Sequence, residues 1–294
     1  MSMRKQFVQT ATRLLEKDPR VVLLLGDIGV YGFKDAFAAY PDRVYNIGIL
    51  EQATVSLAAG LAKTGMVPIV HTIAPFLTER CLEQIKIDFG YQELGGNFVT
   101  VGASYDYAAL GCTHHCPGDV QIMRAIPGME IVVPGSDQEF DSLLDASYAS
   151  PRPTYFRLSE AGNDVSTDAG FGEAVVVREG REAVVVAVGP MLKPVLKATE
   201  GLDVSVLYYA TVAPFDAAAL KAQTSRKILL CEPYYRGGLV SEITEALWPD
   251  PVLVRSVGVP HKFLTNYGRM SEHDEALGFT PDAIRREVEL LIDV

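Results

Sequence analysis

The chain is predicted to be an α/β protein with two doubly wound domains, each built on a mostly parallel sheet. Short apolar runs that fit buried strands alternate with stretches whose apolar residues recur every three or four positions, as in helices. This alternation restarts after a polar, glycine-bearing segment at residues 160–173. The length of 294 residues also suits two domains of roughly 100–200 residues each.

The elements of the first half follow one another in a regular order. A helical pattern at residues 3–17 comes first. The strand candidates after it are residues 21–25, 44–47, 67–71, 98–101, 130–133 and 153–158. The further helical patterns are residues 50–64, 75–90, 119–126 and 136–149. Strands that alternate with helices predict parallel strands covered by helices on both faces.

The second half repeats this organisation on a smaller scale. Its strand candidates are residues 183–187, 204–208 and 227–231, and its helices are predicted near residues 191–199, 216–221 and 238–247. We therefore place a first domain at residues 1–160, a linker at 161–174 and a second domain at 175–294.

The composition of the chain disfavours several classes of protein. No apolar run approaches the roughly 20 residues that span a bilayer, and the N-terminus leads into an amphipathic helix rather than a signal segment. A cytoplasmic protein is therefore predicted. The net charge of −11 and the lack of a basic stripe disfavour nucleic-acid binding. The four cysteines are predicted to be reduced thiols, because so few in a chain of this length do not indicate a disulfide framework.

Glu51 is the first candidate for chemistry. It follows the predicted strand at residues 44–47 and the glycine at position 48, at the first turn of the next helix. Open α/β sheets bind ligands at the carboxyl ends of their strands, so a carboxylate there can take part in chemistry. The alternative is that Glu51 only complements the positive end of the helix.

The motifs around Glu51 resemble the pyrimidine-binding domain of transketolase-like thiamine diphosphate enzymes. The segments that carry the resemblance are residues 48–52, 57–65, 71–76, 111–115, 124–128 and 133–134. Weaker likeness to the family's C-terminal domain is found at residues 187–189, 214–216, 232 and 237–239. The resemblance implies a pyrimidine-binding domain followed by a C-terminal domain.

The chain has no Gly-Asp-Gly sequence, the motif with which this family holds a divalent cation and the cofactor's diphosphate. The resemblance therefore implies one subunit of a split enzyme. A separate N-terminal subunit with Gly-Asp-Gly and a downstream Asn would hold the diphosphate and Mg²⁺ or Ca²⁺, and this chain would hold the aminopyrimidine of thiamine diphosphate. A two-fold assembly of such pairs is also expected.

The resemblance also implies site residues. Glu51 would activate the cofactor through the pyrimidine N1′ atom, Phe76 would stack on the pyrimidine, and His114 would contact the donor substrate. Ile49 and Ile73 would line the pyrimidine pocket. A core role for Phe76 is the alternative.

The substrate side departs from the usual transketolase pattern. His115 replaces a glutamine of the family. By this resemblance, Leu110 stands where the family has an Asp that binds a donor hydroxyl, and Gly102 stands where the family has a further His. Glu160 stands where the family has an Arg that binds the substrate phosphate. Arg157 could replace that Arg, and Tyr105 could bind an unusual sugar. The donor and the acceptor are therefore left open.

Two other motifs invite different interpretations. Residues 112–116, Cys-Thr-His-His-Cys, contain zinc-ligand residue types, but five consecutive residues wrap a tetrahedral ion poorly. Residues 26–32 contain three glycines but not the spacing of a dinucleotide fingerprint. This second segment resembles a loop in the beta subunits of 2-oxoacid dehydrogenases, so such a protein is one alternative. A non-catalytic scaffold for a partner subunit is another.

Overall fold

The first sheet has seven strands and belongs mainly to the N-terminal half. The computed structural model describes residues 1–165 and 167–294. The strands are β1 (Val21–Leu25), β2 (Val44–Asn46), β3 (Val67–Ile73), β4 (Gly96–Val101), β5 (Glu130–Val132), β6 (Pro153–Arg157) and β10 (Thr211–Ala213). They lie in the order β10-β5-β6-β4-β3-β1-β2. All neighbours are parallel except β10, which pairs antiparallel with β5.

Helices cover both faces of this sheet. They are α1 (Met3–Lys17), α2 (Lys34–Ala39), α3 (Glu51–Lys63), α4 (Ala74–Thr78), α5 (Leu82–Gln84), a π-helix (Ile85–Gly90), α6 (Asp119–Arg124) and α7 (Asp137–Ser147). Buried apolar residues of α1 and α7 belong to one core cluster, and those of α3, the π-helix and α6 belong to another. Ser2 and Ser136 cap α1 and α7, because each hydroxyl accepts a hydrogen bond from the N–H three residues later.

The second sheet has five strands in the order β12-β11-β8-β9-β7. The strands are β7 (Ala174–Arg178), β8 (Ala183–Val188), β9 (Val204–Tyr209), β11 (Lys227–Tyr235) and β12 (Leu253–Val259). Only β7 is antiparallel to its neighbour. The helices are α8 (Leu192–Ala198), α9 (Ala217–Lys221), α10 (Val240–Leu247), α11 (Met270–Leu277) and α12 (Pro281–Ile292).

Polar contacts join the two halves. The Gln121 amide donates to the Tyr235 carbonyl at 2.6 Å, and the Tyr105 hydroxyl donates to Asp274 Oδ1 at 2.7 Å. The Arg124 guanidinium contacts Glu242. These contacts, together with β10, bring the loops of the first sheet against the second sheet and α11.

The predicted fold class is confirmed, and two groups of elements differ from expectation. The single helix predicted at residues 75–90 is wrong. The structure has α4, a turn at residues 79–81, α5 and the π-helix instead. The elements α2, β7, β10, β12, α11 and α12 were not predicted. The described part of the predicted linker lies between β6 and β7, except for Ala174, which begins β7. Ser166 of this linker lies outside the described residues, and the exact limits of the linker stay a prediction. In the part of the chain that the structure describes, every helix is too short or too polar to cross a bilayer.

Candidate cofactor site

Glu51 lies where the strand-turn-helix pattern predicts it. Strand β2 ends at Asn46, and Glu51 is the first residue of α3. Gly48 between them has φ of +80°, a conformation that glycine adopts without strain. The Asn46 side-chain oxygen accepts hydrogen bonds from the backbone N–H groups of Gly48 at 3.1 Å and Asp27 at 3.0 Å. These bonds fix the turn that presents Glu51 at the edge of the sheet.

The Glu51 carboxylate is buried and paired. Glu51 is 3% exposed, and its Oε2 atom accepts a hydrogen bond from Arg80 Nη1 at 2.7 Å. The thiol of Cys81 lies close to this pair. Burial and, to a smaller extent, the negative charge of Glu51 raise the pKa of Cys81 to about 12, and Arg80 opposes the rise. Glu51 therefore sits in a largely dry environment with one charged partner.

Phe76 and Arg80 are stacked. Phe76 lies in α4, and Arg80 follows in the turn after that helix. The Arg80 Cζ atom lies 4.3 Å from the centroid of the Phe76 ring, a distance typical of a cation–π contact. The Arg80 side chain keeps 36% of its surface exposed. It thus bridges Glu51 and Phe76 at the mouth of the site.

His114 completes this cluster. Its ring centroid lies 5.3 Å from that of Phe76, with an edge-on angle of 69° between the rings. The hydroxyl of Thr113 is 3.0 Å from His114 Nδ1, so the imidazole has a neighbour that can fix its orientation. Glu51, Arg80, Phe76 and His114 therefore form one continuous group at the carboxyl edge of the first sheet.

A buried hydroxyl group without a partner among the described residues lies near Glu51. A Cβ atom placed on Gly26 would lie 3.2 Å from Thr72 Oγ1 and 3.7 Å from Glu51 Cγ. Thr72 is 1% exposed, and its hydroxyl has no hydrogen-bond partner among the described residues. Buried hydroxyl groups are normally paired, so Thr72 offers a hydrogen bond beside Glu51 that the chain itself does not use.

The structure places the two predicted pocket isoleucines differently. Ile73 ends β3 and is buried, with 7% exposure, whereas Ile49 in the turn before α3 is 70% exposed. Ile49 therefore faces away from the protein interior. A pocket role for either residue stays a prediction, and for Ile49 it requires a second surface that closes over it.

His115 and Tyr105 lie in a different cluster from His114. His115 is 6% exposed, and its ring centroid is 5.8 Å from that of His273 in α11. Burial lowers the pKa of His115. The Tyr105 ring packs against His273 as well, with 5.2 Å between centroids. Both side chains therefore pack between the two halves of the chain. The substrate contacts predicted for His115 and Tyr105 stay predictions.

The Arg157 side chain is buried and is part of a hydrogen-bond network. It is 1% exposed, and its Nε donates to Asp119 Oδ2 at 2.7 Å. Its Nη2 donates to Ser104 Oγ at 2.6 Å. This network holds the guanidinium between the two halves, so a substrate-binding role of Arg157 would need a second conformation and stays a prediction.

The cysteine-histidine segment shows no sign of a metal centre. All four cysteines are free, and the Cys116 thiol contacts the Thr78 hydroxyl at 3.3 Å. Among the residues that the structure describes, no group of three or more His, Cys, Asp or Glu side chains has the geometry to hold a metal ion.

Exposed apolar side chains lie on β2, on α3 and its preceding turn, and on and after the π-helix. We call the surface that they form the α3 face. Its large apolar side chains are Tyr45, Ile49, Leu50, Leu57, Ile87 and Tyr91, with exposures between 40% and 84%. The Ser56 hydroxyl donates to Asp88 at 2.6 Å, which joins α3 to the π-helix. A Cβ on Gly60 would meet no atom within 4 Å. Contiguous apolar surfaces of this kind mark interaction sites.

Three residues of the site, Arg80, Thr72 and Gly26, were not predicted from the sequence. A signal existed for Arg80, because a residue four positions after Phe76 in a helical pattern lies on the same face. For Thr72 and Gly26 the signal was only their position at the ends of β3 and β1, where ligand sites of open sheets lie.

Comparisons with known proteins identify the two domains. Residues 1–163 match the family model of the transketolase pyrimidine binding domain, and residues 172–284 match that of the transketolase C-terminal domain. Over 287 residues the chain is 39% identical to a protein of Rhodococcoides fascians described as an uncharacterized 33.6 kDa protein in the fasciation locus. The match covers 96% of this chain and 92% of that protein.

Two further relatives have more informative names. A protein of Phocaeicola vulgatus, described as one subunit of an apulose-4-phosphate transketolase, is 30% identical, with 90% of this chain and 92% of that protein covered. A solved split-gene transketolase, described as an inactive tetramer of beta chains, superposes with a TM-score of 0.88 at 26% identity. That superposition covers 100% of this chain and 98% of the other. This chain belongs to the transketolase family, as a pyrimidine-binding domain followed by a C-terminal domain.

Proposed function

We propose that this chain is one subunit of a split thiamine diphosphate-dependent transketolase. It transfers a two-carbon ketol unit from a ketose to an aldose, so that the donor leaves as an aldose shorter by two carbons and the acceptor becomes a ketose longer by two. The observation that carries the proposal is the buried Glu51 carboxylate at the start of α3, which Arg80 joins to the Phe76 ring, next to the exposed Ile49 and Leu50.

The residues present fit an aminopyrimidine ring. A flat, nitrogen-bearing group already occupies the space between Glu51 and Phe76 in the form of the Arg80 guanidinium. The Thr72 hydroxyl, which has no partner among the described residues, adds a polar group, and Gly26 lets the backbone approach it closely, since a Cβ there would lie 3.2 Å from Thr72 Oγ1. Bound thiamine diphosphate supplies a nucleophilic carbon that carries the two-carbon unit.

Each side chain of the cluster has a role that its surroundings support. Glu51 holds and releases a proton at the pyrimidine N1′ atom, and its dry environment keeps that hydrogen bond strong. Phe76 gives the ring a stacking surface. His114, at the edge of Phe76 and half-buried, is placed to hold an oxygen atom of the donor sugar.

The α3 face supports the need for a partner. Ile49, Leu50 and Leu57 are exposed next to a residue that requires a dry site. A partner subunit that covers this face closes the pocket and brings the Gly-Asp-Gly motif, the downstream Asn and Mg²⁺ or Ca²⁺. The names of two relatives, one a transketolase subunit and the other an inactive tetramer of beta chains, agree with a chain that is inactive without a partner.

The test is reconstitution. The tagged chain is purified from its native cells, a co-purifying protein with Gly-Asp-Gly and a downstream Asn is expressed together with it, and the pair is given thiamine diphosphate and Mg²⁺. We expect two-carbon extension of an aldose with ketose donors, detected by mass spectrometry, and no extension by either chain alone. Transfer of an acyl group from a 2-oxo acid to lipoamide would instead identify a 2-oxoacid dehydrogenase subunit, and an active partner that ignores this chain would identify a scaffold.

A further inference from the structure

Arg80 makes both of the contacts that the proposed cofactor ring needs. Its Nη1 atom donates to Glu51 Oε2 at 2.7 Å, and its Cζ atom lies 4.3 Å from the centre of the Phe76 ring. A guanidinium is flat, carries N–H donors in its plane and stacks on aromatic rings. An aminopyrimidine that shares a proton with Glu51 has the same three properties. The two groups therefore compete for one slot.

We propose that Arg80 is an internal stand-in for the aminopyrimidine, which fills the slot in the cofactor-free chain and leaves it when the cofactor enters. This inference rests on the proposed function. Arg80 is suited to the exchange because it lies in the turn after α4 and its side chain is 36% exposed, so the guanidinium can rotate into solvent without unfolding a helix.

The stand-in solves an electrostatic problem of the empty site. Glu51 is 3% exposed, and a buried carboxylate without a partner is strongly unfavourable. Arg80 pairs with that charge until a ligand arrives. When Arg80 leaves, the carboxylate loses its cation, so the complex takes up one proton that Glu51 and N1′ share. Cofactor entry and proton uptake are therefore coupled through Arg80.

The coupling gives a test that does not depend on turnover. Thiamine diphosphate is titrated calorimetrically, with Mg²⁺ present, into the assembled pair of subunits in buffers of different ionisation enthalpy, which yields the dissociation constant and the number of protons taken up. The variants are Arg80→Met and Arg80→Lys. Arg80→Met removes both the charge and the flat guanidinium, and Arg80→Lys keeps the charge but lacks the flat group. Arg152→Met is the matched control, because Arg152 is exposed and its side chain forms no hydrogen bond or ion pair among the described residues.

For Arg80→Met we expect about tenfold tighter binding, because the slot is no longer occupied by its own side chain, and a proton uptake that differs from that of the wild type, because no cation leaves Glu51 when the cofactor enters. The dissociation constant of Arg80→Lys should lie between those of the wild type and Arg80→Met. Arg152→Met should have the dissociation constant and the proton uptake of the wild type. Weaker binding by Arg80→Met would make Arg80 a cofactor-holding residue and overturn the stand-in role. Unchanged affinity and proton count would also overturn it.

The two proposals fail in different ways. If neither the wild-type pair nor the Arg80→Met pair binds thiamine diphosphate, the proposed function is wrong and the stand-in role falls with it. If both bind the cofactor equally well, only the stand-in role is wrong. The near-ultraviolet circular dichroism of the bound pyrimidine adds a spectroscopic check, because the signal should appear at lower cofactor concentration in Arg80→Met.

Discussion

The Arg157 guanidinium and the Asp119 carboxylate, both in the first half of the chain, form an ion pair at the boundary with the second half, with Nε 2.7 Å from Oδ2. Both side chains are almost fully buried, at 1% and 0% exposure. The Tyr155 hydroxyl donates to the same carboxylate oxygen at 2.9 Å, and Arg157 also reaches the Pro233 carbonyl in β11. The pair thus links β6 and α6 of the first half to the second sheet.

Removal of the Arg157 charge is expected to destabilise the fold. Arg157→Met leaves Asp119 as a buried carboxylate without a cation, which costs roughly 3–5 kcal/mol in other proteins. The free energy of unfolding, measured by urea denaturation, should fall by about that amount. Arg181→Met is the matched control, because Arg181 pairs with Asp203 on the surface and exposed pairs contribute little. An equally stable Arg157→Met would show that the buried pair does not hold the halves together.

The position of Arg157 could be predicted from the sequence, but its buried partners could not. An arginine at the carboxyl end of a strand is typical of a substrate ligand, since ligands of open sheets bind at that edge. Its burial depends on β11 and on the loop that carries Ser104, which approach from distant parts of the chain. Local patterns contain no signal for such contacts, so the sequence predicts the residue's edge of the sheet but not its partners.

Glu51→Gln should abolish catalysis and spare the fold. Glutamine has the shape of the carboxylate and can accept from Arg80, but it cannot hold and release a proton at N1′. Loss of acid–base catalysis typically lowers the rate by about 10²–10⁴-fold, so kcat of the reconstituted pair should fall by at least about 100-fold. Glu16→Gln, on an exposed position of α1, should leave kcat unchanged. Near-normal turnover by Glu51→Gln would remove Glu51 from the proposed mechanism.

The candidate site was predictable to the extent that its residues come from strand ends. Glu51, Phe76 and His114 follow β2, β3 and β4 along the chain, and the carboxyl ends of parallel strands meet at one edge. Arg80 was missed although it follows Phe76 by four positions, a spacing that puts two side chains on one face of a helical pattern. Its hydrogen bond to Glu51 joins the turn at residues 79–81 to α3, and a local sequence pattern contains no signal for such a contact.

The fold was predictable where local pattern and packing agree. Strand β1 is a run of five apolar residues buried in the sheet, and its position was predicted correctly. The strand β10 could not be found in this way, because only three residues form it and their partner β5 lies in the other half of the chain. Helix α12 was not predicted although its sequence carries signals: Thr280 caps it, Pro281 begins it, and its buried apolar residues are spaced by four and three positions.

Gly60→Leu should have opposite effects on the chain and on its assembly. Gly60 lies on the exposed side of α3, has no positive φ and has no atom within 4 Å of its Cβ position. Replacing a glycine in the middle of a helix with leucine should therefore raise the free energy of unfolding of the chain without its partner by about 0.5–1 kcal/mol. The same leucine should weaken binding to the partner subunit by roughly tenfold or more, because it fills space at the proposed interface.

Thermal unfolding of the purified chain and titration with the partner subunit measure these two effects. Glu16→Leu is the control, since it places the same apolar side chain on an exposed position of α1 away from the α3 face. A Gly60→Leu chain that binds the partner normally would show that the α3 face is not the interface.

The titration of Asp106 should lower the free energy of unfolding as the pH rises from 4 to 7. Its carboxylate accepts hydrogen bonds from the N–H groups of Ala103 and Glu160, both at 3.0 Å, and from the Ser159 hydroxyl at 3.1 Å. Burial nevertheless raises the pKa of Asp106 from 3.8 to about 7. The folded protein therefore keeps a proton on Asp106 over a range in which the unfolded chain has lost it. The stabilising contribution of this group is complete below about pH 4 and is lost as the pH rises through about 7.

Asp106→Asn removes this titration while keeping the hydrogen-bond pattern, because its amide can accept from the two N–H groups and donate to the Ser159 hydroxyl. The free energy of unfolding of the wild type should decline relative to that of the variant by about 3 kcal/mol between pH 4 and pH 7, since each unit of pKa difference corresponds to about 1.4 kcal/mol. Asp42→Asn, at an exposed position, should run parallel to the wild type in the same urea titrations. If Asp106→Asn also runs parallel, the Asp106 carboxyl is ionised throughout this range, and the hydrogen bonds from Ala103, Ser159 and Glu160 outweigh its burial.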